Sequence, residues 1–342
     1  MTIRIGLVGA GNISDTHARA AREIPGVEIV AVYGNNRGNA TSLCQRYGGK
    51  PYGDFSPFLM HRPMDLVILG SPSGLHSTQG IEAARRGLHV LTEKPMDVNT
   101  QRADALIEAV EHWGVKLGVI FQDRLKPEIR QLRELIRSGQ LGKILLIDAR
   151  VKWYRPPEYY KNSRWRGTFL LDGGGALMNQ GVHTVDLLLW LFGEVKYVQA
   201  RVRTSLHAIE VEDTAVAILE FASGPVCTLQ ATTAAYPGYP RRVEITGSEG
   251  TVVLEDDRIV SAQLKTAPAD LVQRRAVIDE GAASHVVSDV SGHRAILEDF
   301  IRAIQSNGTP ACDGPEGRRS IQLIEAIYRA GRDLSGIALT AD

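Results

Sequence analysis

The sequence predicts an α/β protein with two domains: an N-terminal doubly wound parallel sheet and a C-terminal α+β domain with a large, mostly antiparallel open sheet. Two observations predict this architecture. Strand-like and helix-like segments alternate over the first third of the chain, and strand-like segments dominate afterwards. The change of pattern follows Gln122, so we expect domains at 1–122 and 123–342, with the last helices able to pack back on the first domain.

The composition limits the class of protein and its partners. The chain has 342 residues, 44% of them hydrophobic, which is enough for two cores. Lys+Arg and Asp+Glu both number 39, so the net charge gives no reason to expect nucleic acid or a membrane surface as a partner. The three cysteines show neither disulfide nor metal-ligand spacing, and we expect no catalytic metal. Without a signal peptide or an apolar run long enough to span a bilayer, we expect a cytoplasmic protein.

Five apolar runs predict the parallel strands of the first domain: IRIGLVG, VEIVAVYG, MDLVILGSP, LHVLTE and VKLGVIFQ. Helix-like sequence separates them, for example the helix that begins at Asn99 or Thr100 as N-cap. Ligands bind such sheets at the carboxyl ends of the strands. Those ends are Gly9, Tyr33, Ser71, Glu93–Lys94 and Gln122.

The stretch GAGNIS follows the first strand and begins the first helix. Gly9 permits a tight turn, Gly11 lets the backbone approach a pyrophosphate, and the free N–H groups near Asn12 and Ile13 face the anion. Ser14 replaces the third glycine of the fingerprint and is still small enough for close packing. The alternative is a purely structural turn. We favour nucleotide binding, and therefore a Rossmann domain.

The second strand end bears on the choice of cofactor. NAD-binding proteins carry an acidic residue here for the ribose hydroxyls, but this stretch has Tyr33, Asn35 and Arg37 and no carboxylate. Asn35 could bind the ribose, while Arg37 could contact the 2′-phosphate of NADP or be solvated. The sequence therefore predicts NAD or NADP, and slightly favours NADP being accepted.

The second domain contains one predicted helix between its strands, at about Ala176–Phe192. Asn179, His183 and Asp186 fall at i, i+4 and i+7 and so share one face of this helix. A buried polar stripe needs partners. The stripe is either a functional site or a hydrogen-bonded core histidine beside an exposed Asp186.

Four motifs occur in order along the chain: GAGNIS at Gly9–Ser14, GSPSGLH at Gly70–His76, TEKP at Thr92–Pro95 and DGGGALMNQGVHTVD at Asp172–Asp186. With them the whole chain resembles the Gfo/Idh/MocA family of NAD(P)-dependent oxidoreductases, which act on sugars, cyclitols and related polyols. FQDRLKP also fits the segment that opens the second domain of that family. The resemblance places Ser71, Pro72, His76, Glu93 and Gln122 on the cofactor side of the site.

The resemblance also implies the catalytic residues. It places Lys94 beside the nicotinamide and the substrate hydroxyl, with a cis Lys94–Pro95 bond, and makes His183 the acid/base. The position four residues before the histidine is commonly aspartate in the family and is Asn179 here. An amide cannot act as a base, but it can hydrogen-bond a sugar hydroxyl in both directions, so we expect Asn179 to position the substrate.

The segment between the first strand of the second domain and this helix is rich in aromatic and arginine side chains suited to a sugar ring. Its candidates are Trp153, Tyr154, Arg155, Tyr159, Tyr160, Arg164, Trp165 and Arg166, of which Trp153, Tyr154, Arg164 and Trp165 are the substrate contacts we select. Arg124 near the pocket mouth and Tyr236 are further substrate candidates. Arginine could also bind a carboxylate or phosphate. The alternative is that this segment packs the domain seam or an oligomer interface.

These residues predict an NAD(P)-dependent dehydrogenase or reductase for a sugar, cyclitol or sugar derivative. Two alternatives stay open: an enzyme that cleaves glycosides through transient oxidation, and a non-catalytic sensor of nucleotide or sugar. By resemblance, we expect a homodimer or homotetramer formed through the open sheet.

Overall fold

The computed structural model describes residues 2–266 and 289–332. Its first sheet has six parallel strands in the order β3-β2-β1-β4-β5-β6. The strands are β1 (Ile3–Val8), β2 (Val27–Tyr33), β3 (Lys50–Tyr52), β4 (Leu66–Leu69), β5 (His89–Thr92) and β6 (Leu117–Val119). The strand order runs in opposite directions on the two sides of the β1–β4 pair. A doubly wound sheet places its ligand crevice at such a switch point.

Helices connect these strands: α1 (Asn12–Arg22), α2 (Arg37–Tyr47), α3 (Phe55–Leu59), α4 (His76–Ala84) and α5 (Thr100–His112). The expected N-cap of α5 is Asn99, whose side chain accepts a hydrogen bond from the Arg102 amide. A 3₁₀ turn over Gln122–Leu125 and α6 (Pro127–Arg137) lead into the second sheet. The α/β class predicted from the sequence is confirmed.

The second sheet has seven strands in the order β13-β12-β11-β7-β10-β9-β8. They are β7 (Ile144–Lys152), β8 (Val195–Arg203), β9 (Thr214–Phe221), β10 (Val226–Thr232), β11 (Arg242–Gly247), β12 (Gly250–Glu255) and β13 (Arg258–Leu264). All neighbours are antiparallel except β7 and β10, which are parallel. The short helix α7 (Pro157–Lys161) and helix α8 (Val182–Phe192) lie between β7 and β8.

One face of the second sheet is covered and the other is open. Alternate side chains of the central strands, such as Ile147, Ala217 and Leu229, are buried in the core that α8 and the C-terminal helix α10 (Gly314–Arg332) also line. Val216 and Ile218 point to the opposite face and are exposed. This alternation is the pattern of an antiparallel sheet with one free face.

Two C-terminal helices pack back on the first sheet's helices. Helix α9 (Ser291–Gln305) contacts α1, and α10 (Gly314–Arg332) contacts α5 as well as β8. The sequence predicts these helices at His293–Ser306 and Glu316–Leu334, and the end of the second, at Leu334, lies outside the described residues. The domain boundary after residue 122 stays a prediction. In the described ranges, no helix is long and apolar enough to cross a membrane, and the cytoplasmic location stays a prediction.

The structure contains elements that the sequence pattern did not predict: β3, β13, α3 and α7. Of these, β3, α3 and α7 have only three to five residues, too few for a clear period. The helix expected at Ala176–Phe192 is present, but its first part, Ala176–Gly181, is a π-helix. Such wide turns often occur at functional sites.

Candidate active site

A cleft of about 1320 Å³ lies at the carboxyl ends of the parallel strands and extends to the π-helix of the second part of the chain. This volume exceeds the roughly 300–1,000 Å³ that a single ligand pocket usually encloses. The expected site residues that line it are Gly9, Gly11, Asn12, Ile13, Tyr33, Asn35, Ser71, Pro72, His76, Glu93, Lys94, Gln122, Trp153, Arg164, Trp165, Asn179 and His183.

The glycine turn after β1 has the geometry expected of a phosphate-binding loop. Gly9 has φ +105°, and a Cβ there would lie 2.6 Å from the Gly70 carbonyl oxygen. Gly11 is the N-cap of α1, and a Cβ there would meet only open space. Ser14 is buried, with Oγ 3.1 Å from the Cβ position of Gly70, so this small side chain does allow close packing.

The second strand end is held by local hydrogen bonds. Tyr33 donates to Asn35, and the Asn36 side chain caps α2. Arg37 is exposed at the start of α2 and does not line the cleft. The expected contact of Arg37 with a 2′-phosphate is therefore not preformed here, and the preference between NAD and NADP stays a prediction.

A buried cluster lies under the end of β5. Glu93 Oε1 is 2.8 Å from Nε2 of His17, whose ring packs edge-on against His293 at 5.3 Å. Burial alone would raise the pKa of Glu93, but the hydrogen bond with His17 and the charges of His17, His293 and Lys94 hold it at about 2. Glu93 is therefore an ionised, tightly held residue beside Lys94, and His293 brings α9 to the cleft wall.

Lys94 extends from this strand end to the π-helix, where its ammonium donates to the Asn179 carbonyl at 3.0 Å. The Lys94–Pro95 bond is cis, as expected. Burial lowers the pKa of Lys94, while nearby carboxylates oppose the shift. His76 ties two loops together here, with ring nitrogens 3.0 Å from the Pro95 carbonyl and 2.9 Å from the Ser71 carbonyl.

The π-helix is held in place by a buried carboxylate. Glu212 accepts hydrogen bonds from the Gly175 and Leu177 amides, each at 2.8 Å, and from the Tyr328 hydroxyl of α10 at 2.8 Å. A Cβ on Gly175 would lie 1.8 Å from the Glu212 carbonyl oxygen, so only glycine fits there. The carboxylate satisfies amide groups at the start of the helix that have no partner within it.

The amide of Asn179 is engaged with other side chains. It donates to Asp172, and its oxygen accepts from Gln180 at 2.7 Å. Asp172 also accepts from the Gly167 amide at 2.8 Å. Burial raises the pKa of Asp172 to about 6, although these hydrogen bonds oppose the shift. Asn179 therefore lies at the cleft in a fixed orientation. The carboxyl group here belongs to its partner Asp172, whereas the family commonly carries a carboxyl group at the position of Asn179 itself.

His183 follows one turn later on α8, with its ring edge-on to Phe121 at 5.8 Å. Its Nδ1 lies 3.7 Å from Asp123 Oδ2. Burial, followed by the charge of Lys94, lowers the pKa of His183 to about 3, while Asp123 opposes the shift. The imidazole is therefore neutral near pH 7 and able to accept a proton.

Aromatic and arginine side chains form the wall opposite the strand ends. The guanidinium of Arg155, only 5% exposed, lies over the Trp153 and Tyr159 rings and donates to Gln180 at 3.0 Å. The guanidinium of Arg166 belongs to the same wall and lies 4.4 Å from the Tyr159 ring centre. Guanidinium groups stack on aromatic faces, as those of Arg155 and Arg166 do here.

Three expected substrate residues lie elsewhere. Arg124 is buried and forms a bidentate pair with Asp186 at 2.6 and 2.8 Å, with Glu316 as a further partner. Asp186, expected to be exposed if His183 were a core residue, is only 2% exposed. Tyr154 packs against Tyr236 at 5.3 Å, and Tyr236 is 78% exposed outside the cleft. The sequence placed these side chains near the site but could not show which neighbours hold them.

Sequence reasoning missed several residues of the site. Asp123, Asp172 and Gln180 contact the selected catalytic side chains, and Asp289 and His293 line the cleft from the C-terminal segment. Asp123 lies in the motif FQDRLKP and Asp172 in the motif DGGG. The signal that could have identified them was an acidic residue within each motif. Asp289 and His293 carried no signal, since their position depends on how α9 docks.

The cleft fits a dinucleotide. The glycine turn leaves space for a pyrophosphate at the α1 N-terminus, and the buried Gln122 Oε1 has no hydrogen-bond partner among the described residues. An unsatisfied buried acceptor at the cleft surface suits a ligand N–H donor. No group of metal ligands occurs within residues 2–266 and 289–332.

Comparison with known proteins agrees with this geometry. Residues 3–121 match the oxidoreductase family with an NAD-binding Rossmann fold, and residues 129–253 match the GFO/IDH/MocA C-terminal domain. The WlbA dehydrogenase of Bordetella pertussis, solved with NADH and UDP-GlcNAcA, is 33% identical over 100% of both chains, with a TM-score of 0.87. Inositol 2-dehydrogenase of Rhizobium meliloti is 27% identical over 341 residues, 96% of this chain and 97% of that protein.

A second full-length relative is dTDP-3,4-didehydro-2,6-dideoxy-alpha-D-glucose 3-reductase of Actinomadura kijaniata, which is 25% identical and covers 97% of this chain and 96% of its own. The two family matches together span most of the chain and both parts of the cleft. The protein is an NAD-binding oxidoreductase of the GFO/IDH/MocA family.

Proposed function

We propose that this protein is an NAD-dependent dehydrogenase that oxidises a ring hydroxyl of an anionic sugar derivative, with Lys94 and His183 as the catalytic pair. The observation that carries the proposal is the meeting of these two side chains with the glycine turn in one cleft. Lys94 comes from the end of a parallel strand and His183 from α8.

The chemistry assigned to the residues follows from their environment. Bound NAD accepts the hydride that leaves the hydroxyl-bearing carbon. His183 takes the hydroxyl proton on the lone pair of its imidazole, which burial keeps neutral near pH 7. The ammonium of Lys94 stabilises the negative charge that develops on the oxygen. Asn179, held in a fixed orientation by Asp172 and Gln180, positions the substrate.

The charge of the cleft favours an anionic substrate. Four cationic side chains of the described residues line it, Lys94, Arg155, Arg164 and Arg166, against the carboxylates of Glu93 and Asp289. Glu93 is already paired with His17. Arginine forks bind carboxylate and phosphate more strongly than neutral hydroxyls. We therefore assign a sugar derivative that carries a carboxylate, a phosphate or both.

The relatives narrow this class. The B. pertussis enzyme binds UDP-GlcNAcA, and the A. kijaniata relative acts on a dTDP-linked sugar. The cleft volume leaves room for a nucleotide-linked sugar beside the cofactor. We propose a nucleotide-linked sugar acid as substrate, with UDP-GlcNAcA as the first compound to assay.

The test is a spectrophotometric assay of nicotinamide reduction with NAD and with NADP. The substrates are UDP-GlcNAcA, UDP-GlcNAc, which keeps the charged diphosphate and lacks only the sugar carboxylate, and the neutral polyol myo-inositol. We expect turnover of UDP-GlcNAcA with NAD and a kcat/KM at least tenfold lower for UDP-GlcNAc, since a charged hydrogen bond contributes about 1.5–3 kcal/mol. Preference for UDP-GlcNAc would refute the assignment of a sugar acid, and preference for myo-inositol would refute the anionic assignment. No net reduction with any compound would refute the proposed reaction.

We also propose that a second copy of the chain covers the outer face of the second sheet. This face exposes Leu146, Tyr197, Val216, Ile218 and Val226 on adjacent strands, each at least 37% exposed. A contiguous apolar patch of this kind marks an interaction surface. Light scattering on Ile218→Lys should show a smaller particle than the native protein or the control Met60→Lys, in which an exposed side chain far from this face is changed. A native monomer would refute the proposal.

A further inference from the structure

One ring nitrogen of His183 has an environment that the catalytic assignment leaves unexplained. Its Nδ1 is buried and has no hydrogen-bond partner among the described residues. A neutral imidazole carries one proton, and the other nitrogen holds the lone pair. The group that faces Nδ1 therefore decides which nitrogen can receive a substrate proton.

The carboxylate of Asp123 faces this nitrogen. Its Oδ2 lies 3.7 Å from His183 Nδ1, and its side chain is only 8% exposed. Asp123 belongs to the 3₁₀ turn Gln122–Leu125, so the contact joins two separate elements. The separation is longer than a hydrogen bond. Catalytic hydrogen bonds are often long in the absence of substrate and shorten when it binds.

Asp123 is held in its ionised form by two cations. Arg241 donates to Oδ2 at 2.9 Å, and the Lys126 ammonium lies 3.1 Å from Oδ1. Burial alone would raise the pKa of Asp123, but Arg241, Lys126 and His183 hold it far below its usual range. A second carboxylate, Asp257, pairs with the same two cations and balances their charge.

The other charged groups near the ring are Lys94, Arg241 and Glu93. The two cations favour the neutral imidazole, and Glu93 is committed to His17. The family position that could supply a carboxylate is Asn179, whose amide binds Asp172 and Gln180 instead. Asp123 is thus the carboxylate placed to act on the ring.

We infer that Asp123 is a positioning residue for the reaction: it accepts a hydrogen bond from Nδ1–H of His183 and so leaves the Nε2 lone pair free for the substrate hydroxyl. The inference rests on the proposed role of His183. When Nε2 takes the hydroxyl proton, the imidazolium gains a favourable interaction with the carboxylate, as in other aspartate–histidine pairs. Asp123 itself gains no proton.

The test compares Asp123→Asn with Asp257→Asn. Both variants remove one carboxylate charge from the pair of cations, but only Asp123 faces His183. We expect Asp123→Asn to lower kcat about tenfold or more, with the KM for the substrate and the Kd for NAD unchanged, because general-base assistance contributes about 10²–10⁴-fold. Asp257→Asn should keep the native kcat, and Asp123→Glu should restore part of it.

A second readout does not depend on activity. Nitrogen NMR of ¹⁵N-histidine protein, with the His183 signals assigned by their loss in His183→Gln, reports the tautomer directly. We expect the Nδ1–H form in the native protein and a shift toward the Nε2–H form in Asp123→Asn only. An unchanged tautomer, or an equal loss of kcat in Asp257→Asn, would overturn the inference. Full activity of His183→Gln would overturn the proposed function instead, and the tautomer would still test the contact with Asp123.

Discussion

Arg124 lies in a buried ion pair instead of at the pocket, and this position predicts a large effect of the pair on stability. Arg124 and Asp186 form a bidentate pair in which the side chains are only 2% and 3% exposed. Replacement of Asp186 by asparagine leaves a buried guanidinium with a single carboxylate partner, Glu316. Removal of one member of a buried pair costs roughly 3–5 kcal/mol. Because Glu316 stays, we expect about 3 kcal/mol, at the lower end of that range.

The chain offers a matched control on its surface. Arg318 also forms a bidentate pair with Asp104, but there the side chains are 29% and 42% exposed. Exposed pairs contribute about 0–1 kcal/mol. Asp104→Asn should therefore be close to the native protein.

Urea unfolding followed by tryptophan fluorescence measures both variants, since Trp190 lies on the same helix as Asp186. We expect a clearly lower midpoint for Asp186→Asn alone. Equal midpoints for the two variants would refute the argument from burial. A raised KM for the substrate at unchanged stability would show that Arg124 serves the substrate, as the sequence first indicated.

Three further outcomes are expected. Burial and the charge of His17 lower the pKa of His293 from 6.5 to about 4, so between these pH values the unfolded chain binds more protons than the folded protein. The free energy of unfolding therefore falls as the pH drops through this window. Thermal unfolding at a series of pH values should show a smaller fall for His293→Gln. Gly11→Ala should fold normally but lose NAD affinity by titration, whereas Gly9→Ala should also lose stability, since its Cβ would lie 2.6 Å from the Gly70 oxygen. Arg155→Met should lower kcat/KM for UDP-GlcNAcA about 10–150-fold with NAD affinity unchanged; an unchanged value would remove Arg155 from substrate binding.

The sequence predicted the parts of the fold that depend on local pattern. Continuous apolar runs and the glycine turn identified β1, and the order of strand ends brought Gly9, Ser71, Lys94 and Gln122 to one cleft. These features follow from strand periodicity and from the rule that ligands bind at the carboxyl ends of parallel strands. The three-residue strand β3 was missed because it is too short to show a period.

Contacts between distant segments could not be predicted. Asn179 and His183 line the cleft and Asp186 does not, and the three residues have different partners: Asp172, Asp123 and Arg124. Periodicity places a polar residue on a helix face without showing which element packs there. The same limit explains why Arg124 was placed at the pocket and is instead buried in an ion pair.

The central claim is that Lys94 and His183 together carry out proton transfer and oxyanion stabilisation during hydride transfer. Single-turnover stopped-flow measurement of nicotinamide reduction, with enzyme, NAD and UDP-GlcNAcA mixed at saturating concentrations, tests it most directly. We expect the rate to fall at least tenfold in both Lys94→Met and His183→Ala, with cofactor affinity retained, since general-acid/base assistance contributes about 10²–10⁴-fold. A near-native rate in either folded variant would contradict the account.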